Sequence, residues 1–377
     1  MKKALLIIGT IISIGVNAQT TAIPDANFEQ ALINLGIDTD GANGQILNSD
    51  ASGVTTLSVE NQNINDLTGI EAFTSITYLS CFDNNLSSLD LSNNSSLINF
   101  SAYNNQITSL NIGGLVLLEN VDVSWNSLSS LDFTSHPALT GLYCYQNNLT
   151  SLTIQNNVNL TEFSCGNNQL SGLLDVSAMP NLTFFSCSDN QITQIVLGNH
   201  PSLYGIACFG NQITSLDCSG LPVLEELFCG QNQLTSLSVQ NGYNNYFTAF
   251  NSVGNPSLSC IEVDAPSYSN SATATWTKDA TSSYALNCTT GLNDQSQTDL
   301  NNIKLSPNPT KGNFSLELNE TCNTGTITIT DLNGKLIQSK TYNESQLLNL
   351  TLEEPAGVYL LRIESGEKKA LSRLVKE

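Results

Sequence analysis

The chain has 377 residues, enough for two or three domains, and carries 33 acidic against 12 basic side chains, a formal net charge of −21. The imbalance is local: Gln19 to Cys288 holds 22 Asp and Glu against Lys278 alone, whereas Asn302 to Glu377 holds nine of each sign. Phosphate backbones and anionic lipid surfaces demand clustered Lys and Arg, so the acidic region argues against nucleic acid and leaves cations, neutral glycans and basic or neutral proteins.

The first 18 residues read as a signal peptide: Lys2 and Lys3, an apolar run from Ala4 to Val16, and Val16-Asn17-Ala18 as a small-residue cleavage site. No later stretch is apolar for long enough to span a membrane. Residues 19–56 are expected to form an N-terminal cap. In that cap Phe28, Ala31, Leu32 and Leu35 form one apolar helical stripe, with Asp25 placed to start the helix and Gly36 to end it. After the helix, Asp38-Thr39-Asp40-Gly41-Ala42-Asn43-Gly44-Gln45-Ile46, ending near Asp50, resembles an EF-hand loop. The resemblance implies a calcium site with Asp38, Asp40, Asn43 and Asp50 as ligands. Two departures count against it: one extra residue before Asn43, and Asp50 where a bidentate Glu is usual. The alternative is an Asx- and glycine-rich turn with no cofactor at all.

Residues 57–250 repeat about every 21 residues, some nine times. One turn reads Leu79-x-Cys81-x-x-Asn84-x-Leu86-x-x-Leu89-x-Leu91, closed by Leu97. The polar slot recurs as Asn84, Asn105, Asn126, Asn147, Asn168, Asn190, Asn211 and Asn232. A fixed period with one invariant polar residue predicts a stacked solenoid in which each unit buries its apolar side against its neighbours. Cys81, Cys144, Cys165, Cys187, Cys208 and Cys229 share the third position, which Ala102 and Val123 fill elsewhere, so they are expected to pack inward as small apolar residues. His136 and His200 share a turn slot with Leu221, which argues against catalytic use.

The span Leu97-x-x-Phe100-x-Ala102-x-x-Asn105-x-Ile107, recurring in eight successive turns, resembles the leucine-rich repeat consensus. The resemblance implies a curved repeat solenoid with a parallel β-sheet on its concave face and an N-terminal capping helix. Secreted bacterial members resemble internalins, which are binding proteins. The first turn departs from the pattern, with Gln62 in the asparagine slot. A right-handed parallel β-helix, as in pectate lyases, is the less favoured fold.

Outward positions of the first strand carry Tyr78, Phe82, Tyr103, Tyr143, Tyr145, Phe184, Phe209 and Phe228, with Trp125 one position further along. Aromatic side chains held on an exposed sheet are expected to meet a ligand. A protein suits the length of the face. A neutral glycan suits flat rings beside Asp83, Asn104, Asp122, Gln146 and Asp189. Strand propensity and stacking along the sheet would also place aromatics there.

The period breaks after Asn241-Gly242-Tyr243-Asn244-Asn245, so residues 251–288 are read as a C-terminal cap. Cys260 and Cys288 stand outside the cysteine column and are candidates for a disulfide. A polar linker, 289–301, leads to residues 302–377, whose short alternating strands predict a small antiparallel β-sandwich. Pro307-Asn308-Pro309-Thr310-Lys311-Gly312-Asn313-Phe314, the turn around Gly334, Pro355-Ala356-Gly357-Val358-Tyr359 and the end at Lys376 resemble the type A C-terminal sorting domain of type IX secretion. That resemblance implies engagement of the secretion machinery, export across a Gram-negative outer membrane, and release or surface attachment.

Nothing in the sequence supplies a nucleophile–base pair, a phosphate-binding glycine loop or a metal-ligand cluster, so binding rather than catalysis is expected. Asp83 and Asp122 come from strands two repeats apart, about 10 Å, which is loose for glycoside hydrolysis. A polysaccharide-active β-solenoid enzyme is the remote alternative.

Overall fold

The computed structural model describes residues 19–269, 276–288, 304–331, 335–365 and 368–377. The expected signal peptide, the expected linker at 289–301 and Gly334 lie outside the described residues. Among the described residues no helix is long and apolar enough to cross a membrane. The chain divides into two compact units after Cys288.

The first unit is a parallel β-solenoid. Its main sheet has 11 strands in simple chain order, from Thr56–Ser58 through Tyr78–Ser80 and onward to Trp276–Thr277. Each strand is short because the chain must turn a few residues later. The register follows the repeat, so Leu57, Leu79, Phe100, Val121, Leu142 and Phe163 stack on one another. Alternation then sends these residues and the cysteines inward. Cys81, Cys144, Cys165, Cys187, Cys208 and Cys229 are fully buried free thiols, as is Cys218 on the opposite wall. Burial pushes the thiols of Cys165 and Cys208 up to about 12, which keeps them protonated and unreactive.

The opposite wall is assembled from smaller sheets: three two-stranded pairs and a four-stranded sheet that runs to Ser283–Ala285. Between the walls lies one continuous apolar core from Ile23 to Tyr284. Both walls therefore extend through the segment after residue 250 where the sequence period breaks. The reason is that strands at Cys260–Glu262, Trp276–Thr277 and Ser283–Ala285 still pair in register despite their irregular spacing.

The asparagine slot connects the turns. Asn84 donates through Nδ2 to the carbonyls of Val59 at 2.8 Å and Cys81 at 3.0 Å. Its Oδ1 accepts from the Gln62 and Ile64 amides. The pattern repeats to Asn255, a ninth member whose Nδ2 reaches Cys229 O and Ser252 O and whose Oδ1 takes the Leu234 amide. Each side chain thus satisfies backbone groups that a sharp turn would otherwise bury without partners.

A second polar slot serves the next corner. Asn94 donates to Ile70 O and Phe73 O, and Asn157 to Phe133 O and His136 O. His200 occupies the same slot, fully buried, with Nδ1 3.0 Å from Met179 O and Nε2 accepting from the Gly198 amide at 3.1 Å. Those partners require a neutral imidazole, and burial lowers its pKa against the opposing bond to Met179. A histidine with a folded pKa below its unfolded value, about 6.5, contributes full stability above that pH and loses it as pH falls. The melting temperature is therefore expected to drop between pH 7 and pH 5. His200→Asn, which places in this slot the residue type found at Asn94 and Asn157, is expected to flatten that slope. Parallel pH–melting curves for the two proteins would show that His200 contributes nothing to it.

Both solenoid ends are closed. The helix Ala26–Asn34 is capped by Asp25, which accepts from Asn27 N at 2.9 Å and Phe28 N at 3.0 Å. Asp25 also takes the Asn65 amide at 2.8 Å, tying the helix to the first turn. Phe28, Ala31 and Leu32 are buried, but Leu35 is exposed. The helix has ended by then, so Leu35 as its C-cap turns out of the stripe, and Gly36 at φ +71° completes the stop. At the far end Phe250 stacks on Trp276, with ring centroids 4.5 Å apart, and Tyr284 meets Trp276 edge-on. A disulfide joins Cys260 to Cys288 over 28 residues. Closing a loop of that length stabilises by about 3–4 kcal/mol in the chain-entropy account.

The second unit is antiparallel. Strands at Lys304–Ser306, Asn313–Thr330, Leu336–Thr351, Gly357–Ser365 and Lys368–Lys376 form one hydrogen-bonded sheet. The 18-residue strand would be about 60 Å long if straight. Yet Phe314 and Leu316 from its start share one core with Ile327 and Ile329 from its end. The strand must therefore fold over on itself, and its pairing shifts register between Glu317 and Cys322. The result is a two-layered β-unit built from long bent strands.

Candidate functional site

The outward face of the 11-stranded sheet presents columns of side chains that are free to vary while the inward ones repeat. Phe82 stacks on Tyr103, centroids 4.4 Å apart and planes within 9°. Phe184 leans over Gly205, where a Cβ would meet its ring at 2.6 Å, and lies 6.0 Å from Tyr204. Tyr143 donates its hydroxyl to Glu162. Burial and then Glu162 push the Tyr143 phenol up, so it stays a donor. Phe82, Tyr103, Tyr143, Tyr145, Phe184 and Phe228 are half-buried, whereas Phe209 and Trp125 are exposed.

Polar groups line the spaces between rings. A hollow of about 280 Å³ has Tyr78 and Tyr143 as walls and Asn99, Asn120 and Asp122 along it. Asn120 donates to Asn99 Oδ1 at 2.8 Å, and Gly141 beyond it leaves room for that amide, since a Cβ would stand 2.6 Å from Asn120 Oδ1. Burial raises the Asp122 carboxyl against the opposing amide of Ser124, 3.0 Å away. The Tyr103 phenol is raised by its own burial and then by the carboxylates of Asp83, Asp122 and, further down, Glu60. The face is thus aromatic and negative. Asp83 accepts from Asn104 and Asp122 from Ser124, so each carboxyl is held by a neighbour of its own.

At the edge of this face the chain turns through a left-handed residue in nearly every rung. The column runs Asp83 (φ 53°), Asn104 (54°), Trp125 (54°), Gln146 (56°), Asn167 (53°), Asp189 (53°), Gly210 (66°) and Gln231 (52°). Short polar residues and glycine tolerate that conformation, and bulky ones do not. Gln146 and Gln231 depart from that preference, and Trp125, the bulkiest residue of the column, departs furthest and is 51% exposed. The left-handed requirement is a property of the rung geometry, so the spacing of Trp125 alone did not reveal it.

In the cap loop Asp38, Asp40, Asn43 and Asp50 each have a partner within the chain. Asp38 is buried, and its Oδ1 accepts the Asp40 amide at 3.3 Å. Asn43 Nδ2 donates to Asp40 Oδ2 at 2.9 Å. Asp50 is held by the amide and hydroxyl of Thr39. Glu29, on the capping helix and outside the loop motif, accepts the amides of Asn43 and Gly44. Among the described residues no three His, Cys, Asp or Glu side chains converge on one point.

In the C-terminal unit the motif residues form a clip. Asn308, between Pro307 and Pro309, donates to Arg373 O at 2.7 Å and accepts the Val375 amide at 2.8 Å. Thr310 receives the Gly312 amide, and Gly312 sits at φ +126°. Lys376 Nζ reaches Leu352 O at 2.8 Å, and Tyr359 donates to Pro355 O. Gly357 lies beside the Tyr359 ring, 3.7 Å from where its Cβ would stand. The loop at the start of the unit is thereby fastened to the strand at its end.

Residues 304–377 match the family model of the secretion system C-terminal sorting domain. No curated protein is similar to the chain. Among solved structures, the functional domain of InlJ from Listeria monocytogenes, described as including a cysteine ladder, is 21% identical with a TM-score of 0.47, covering 96% of this chain and 99% of that one. Internalin C2 from Listeria monocytogenes is 21% identical with a TM-score of 0.45, covering 65% and 98%. The leucine-rich repeat domain of APL1B is 19% identical with a TM-score of 0.45, covering 55% and 67%. The chain thus carries a secretion system C-terminal sorting domain at residues 304–377, behind a parallel β-solenoid built on a leucine-rich repeat of about 21 residues.

Proposed function

We propose that the solenoid is a secreted or surface-attached recognition module that binds a protein through the outward, concave face of its long sheet, without catalysis. Trp125 carries this reading. A tryptophan in a left-handed slot is strained by about 1–2 kcal/mol relative to glycine, and half of its surface stays exposed rather than packed. Strained, exposed residues of this kind are drawn to functional positions, and Tyr and Trp dominate binding hot spots. The sorting domain supports the location, and the sheet supports the mode, since 11 strands span about 48 Å.

Trp125→Asn separates function from folding. It is expected to leave the melting temperature unchanged or raise it, while weakening ligand binding at least tenfold, about 1.4 kcal/mol. The combined Tyr103→Ala, Trp125→Ala and Tyr145→Ala variant should abolish binding of partners captured from surface-protein extracts. Unaltered binding by that variant would remove the face from consideration. A neutral glycan is the second reading, favoured by the Asn99–Asn120 amide pair beside Tyr78 and Tyr143. Binding confined to a glycan panel, and lost in the same variant, would select it.

A further inference from the structure

The hollow between Tyr78 and Tyr143 owes its shape to short residues on neighbouring strands. In-register pairing sets Tyr78, Asn99, Asn120 and Gly141 in one row and Ser101, Asp122 and Tyr143 in the next. Glycine and serine cannot fill the space that the two rings enclose, about 280 Å³. Whole small-molecule ligands take about 300–1,000 Å³, so this volume suits one inserted side chain. Its polar lining centres on Asp122. That carboxyl is half-buried and receives the amide and side chain of Ser124. A carboxylate has about four acceptor sites, so these two bonds leave capacity unused. Beside it Asn120 donates to Asn99 Oδ1 and keeps its own Oδ1 over Gly141.

The charge on this face has no counterpart within its unit. Glu60, Asp83, Glu119, Asp122 and Glu162 lie on or beside these rungs, and Lys278 is the only Lys or Arg between Gln19 and Cys288. Lys278 Nζ is engaged elsewhere, by the carbonyls of Ser282 and Asp279, and both histidines are buried at a corner. Burial raises the Asp122 carboxyl, and burial followed by Asp83 and Asp122 raises the Tyr103 phenol. Both directions fit a negative field with no cation in it.

We propose, on the reading of the outward face as a protein-binding surface, that this hollow takes an arginine side chain from an extended basic segment of the partner protein, with Asp122 as its counter-ion. Three features select arginine. Its guanidinium is planar and stacks on aromatic faces, which Tyr78 and Tyr143 offer. It carries five N–H donors and no acceptor, matching a carboxylate beside amide oxygens. It is also more weakly hydrated than an ammonium, so it gives up less water to enter a half-buried site. Phe82, Tyr103 and Trp125 follow on the same rungs, where further basic residues of the segment meet rings and carboxylates in turn.

The exported full-length chain is titrated by calorimetry, at low salt, with a synthetic peptide of alternating arginine and glycine. One saturable site is expected. Citrulline, the neutral isostere, in place of each arginine should weaken binding about tenfold or more, and lysine severalfold. Asp122→Asn keeps an acceptor for the Ser124 amide, so it should fold normally and weaken the peptide about tenfold or more. Tyr78→Ala, at an exposed wall of the hollow, should weaken it as well. Asp132→Asn, an exposed carboxylate on the opposite wall of the solenoid, should leave the affinity unchanged. No saturable binding of the arginine peptide overturns the proposal, as does equal binding of the citrulline or lysine peptide. A neutral glycan that binds and is lost in Tyr78→Ala, with no response to the peptide, overturns it in favour of a sugar. Capture of a surface protein that survives Asp122→Asn but fails in the Tyr103, Trp125 and Tyr145 variant overturns it while leaving the concave-face reading intact.

Discussion

Asn211→Ala is expected to destabilise the solenoid by about 1–3 kcal/mol, the cost of leaving the buried Ile192 amide without a partner. Asn211 Nδ2 serves the carbonyls of Cys187 at 3.0 Å, Cys208 at 3.2 Å and Phe209 at 3.3 Å, and its Oδ1 takes the Ile192 amide at 3.0 Å. Alanine supplies none of these; the three carbonyls keep the Asn190 and Asn232 side chains and the Asp189 amide as donors, but the Ile192 amide loses its acceptor. Asn211→Asp keeps the acceptor but sets a carboxylate against three carbonyls, so it should be no better. Asn93→Ala, at an exposed position, should change stability by less than about 0.5 kcal/mol. Because each rung contacts only its neighbours, the Asn211 variants should also lose cooperativity. Urea unfolding followed through the half-buried Trp276 and through hydrogen exchange of the N-terminal rungs should then separate into two transitions. A single transition at the wild-type midpoint would show that the ladder is dispensable.

Deleting residues 302–377 is expected to stop export of an otherwise folded repeat domain, leaving it in the periplasm. Each unit has an apolar core of its own, so the solenoid's core residues all remain when the second is removed. The sorting unit, for its part, presents its two ends together. Asn308 holds the backbone at Arg373 and Val375, and Lys376 is fastened to Leu352. Asn308→Ala releases both contacts to the final strand and should reduce export without affecting solenoid stability. Fractionation with antibody against the repeat domain reads both results. Normal appearance of the truncated chain outside the cell would refute the sorting role.

Much of this architecture is legible in the residue pattern alone. A period of about 21 residues with Leu, Cys and Asn at fixed offsets states which side chains face inward, because a parallel in-register stack repeats every contact. The cysteine column is the clearest instance: six thiols in one slot, shared with Ala102 and Val123, must be packing, and all are fully buried. The motif from Pro307 to Phe314 is readable through its resemblance to the sorting domain, although the contacts that Asn308 makes to Arg373 and Val375 are not, being 65 and 67 residues away. Asn255 was within reach, as Phe250-x-Ser252-x-x-Asn255 keeps the spacing, but the irregular insertion before it hid the register.

What periodicity by itself determined is the rung: its inward residues, its asparagine turn and the order of strands in the sheet. The tertiary structure decided everything that depends on which rungs become neighbours. It placed His136 and His200 in a buried corner slot with Asn94 and Asn157, and carried both walls past residue 250 to an aromatic plug. It also put Trp125 in a column of left-handed residues and buried the Asp38 carboxyl against Asp40. The physical reason is the same in each case. Residues some 21 positions apart lie one strand spacing apart in space, so burial, backbone strain and charge at a given position are set by the rungs above and below it.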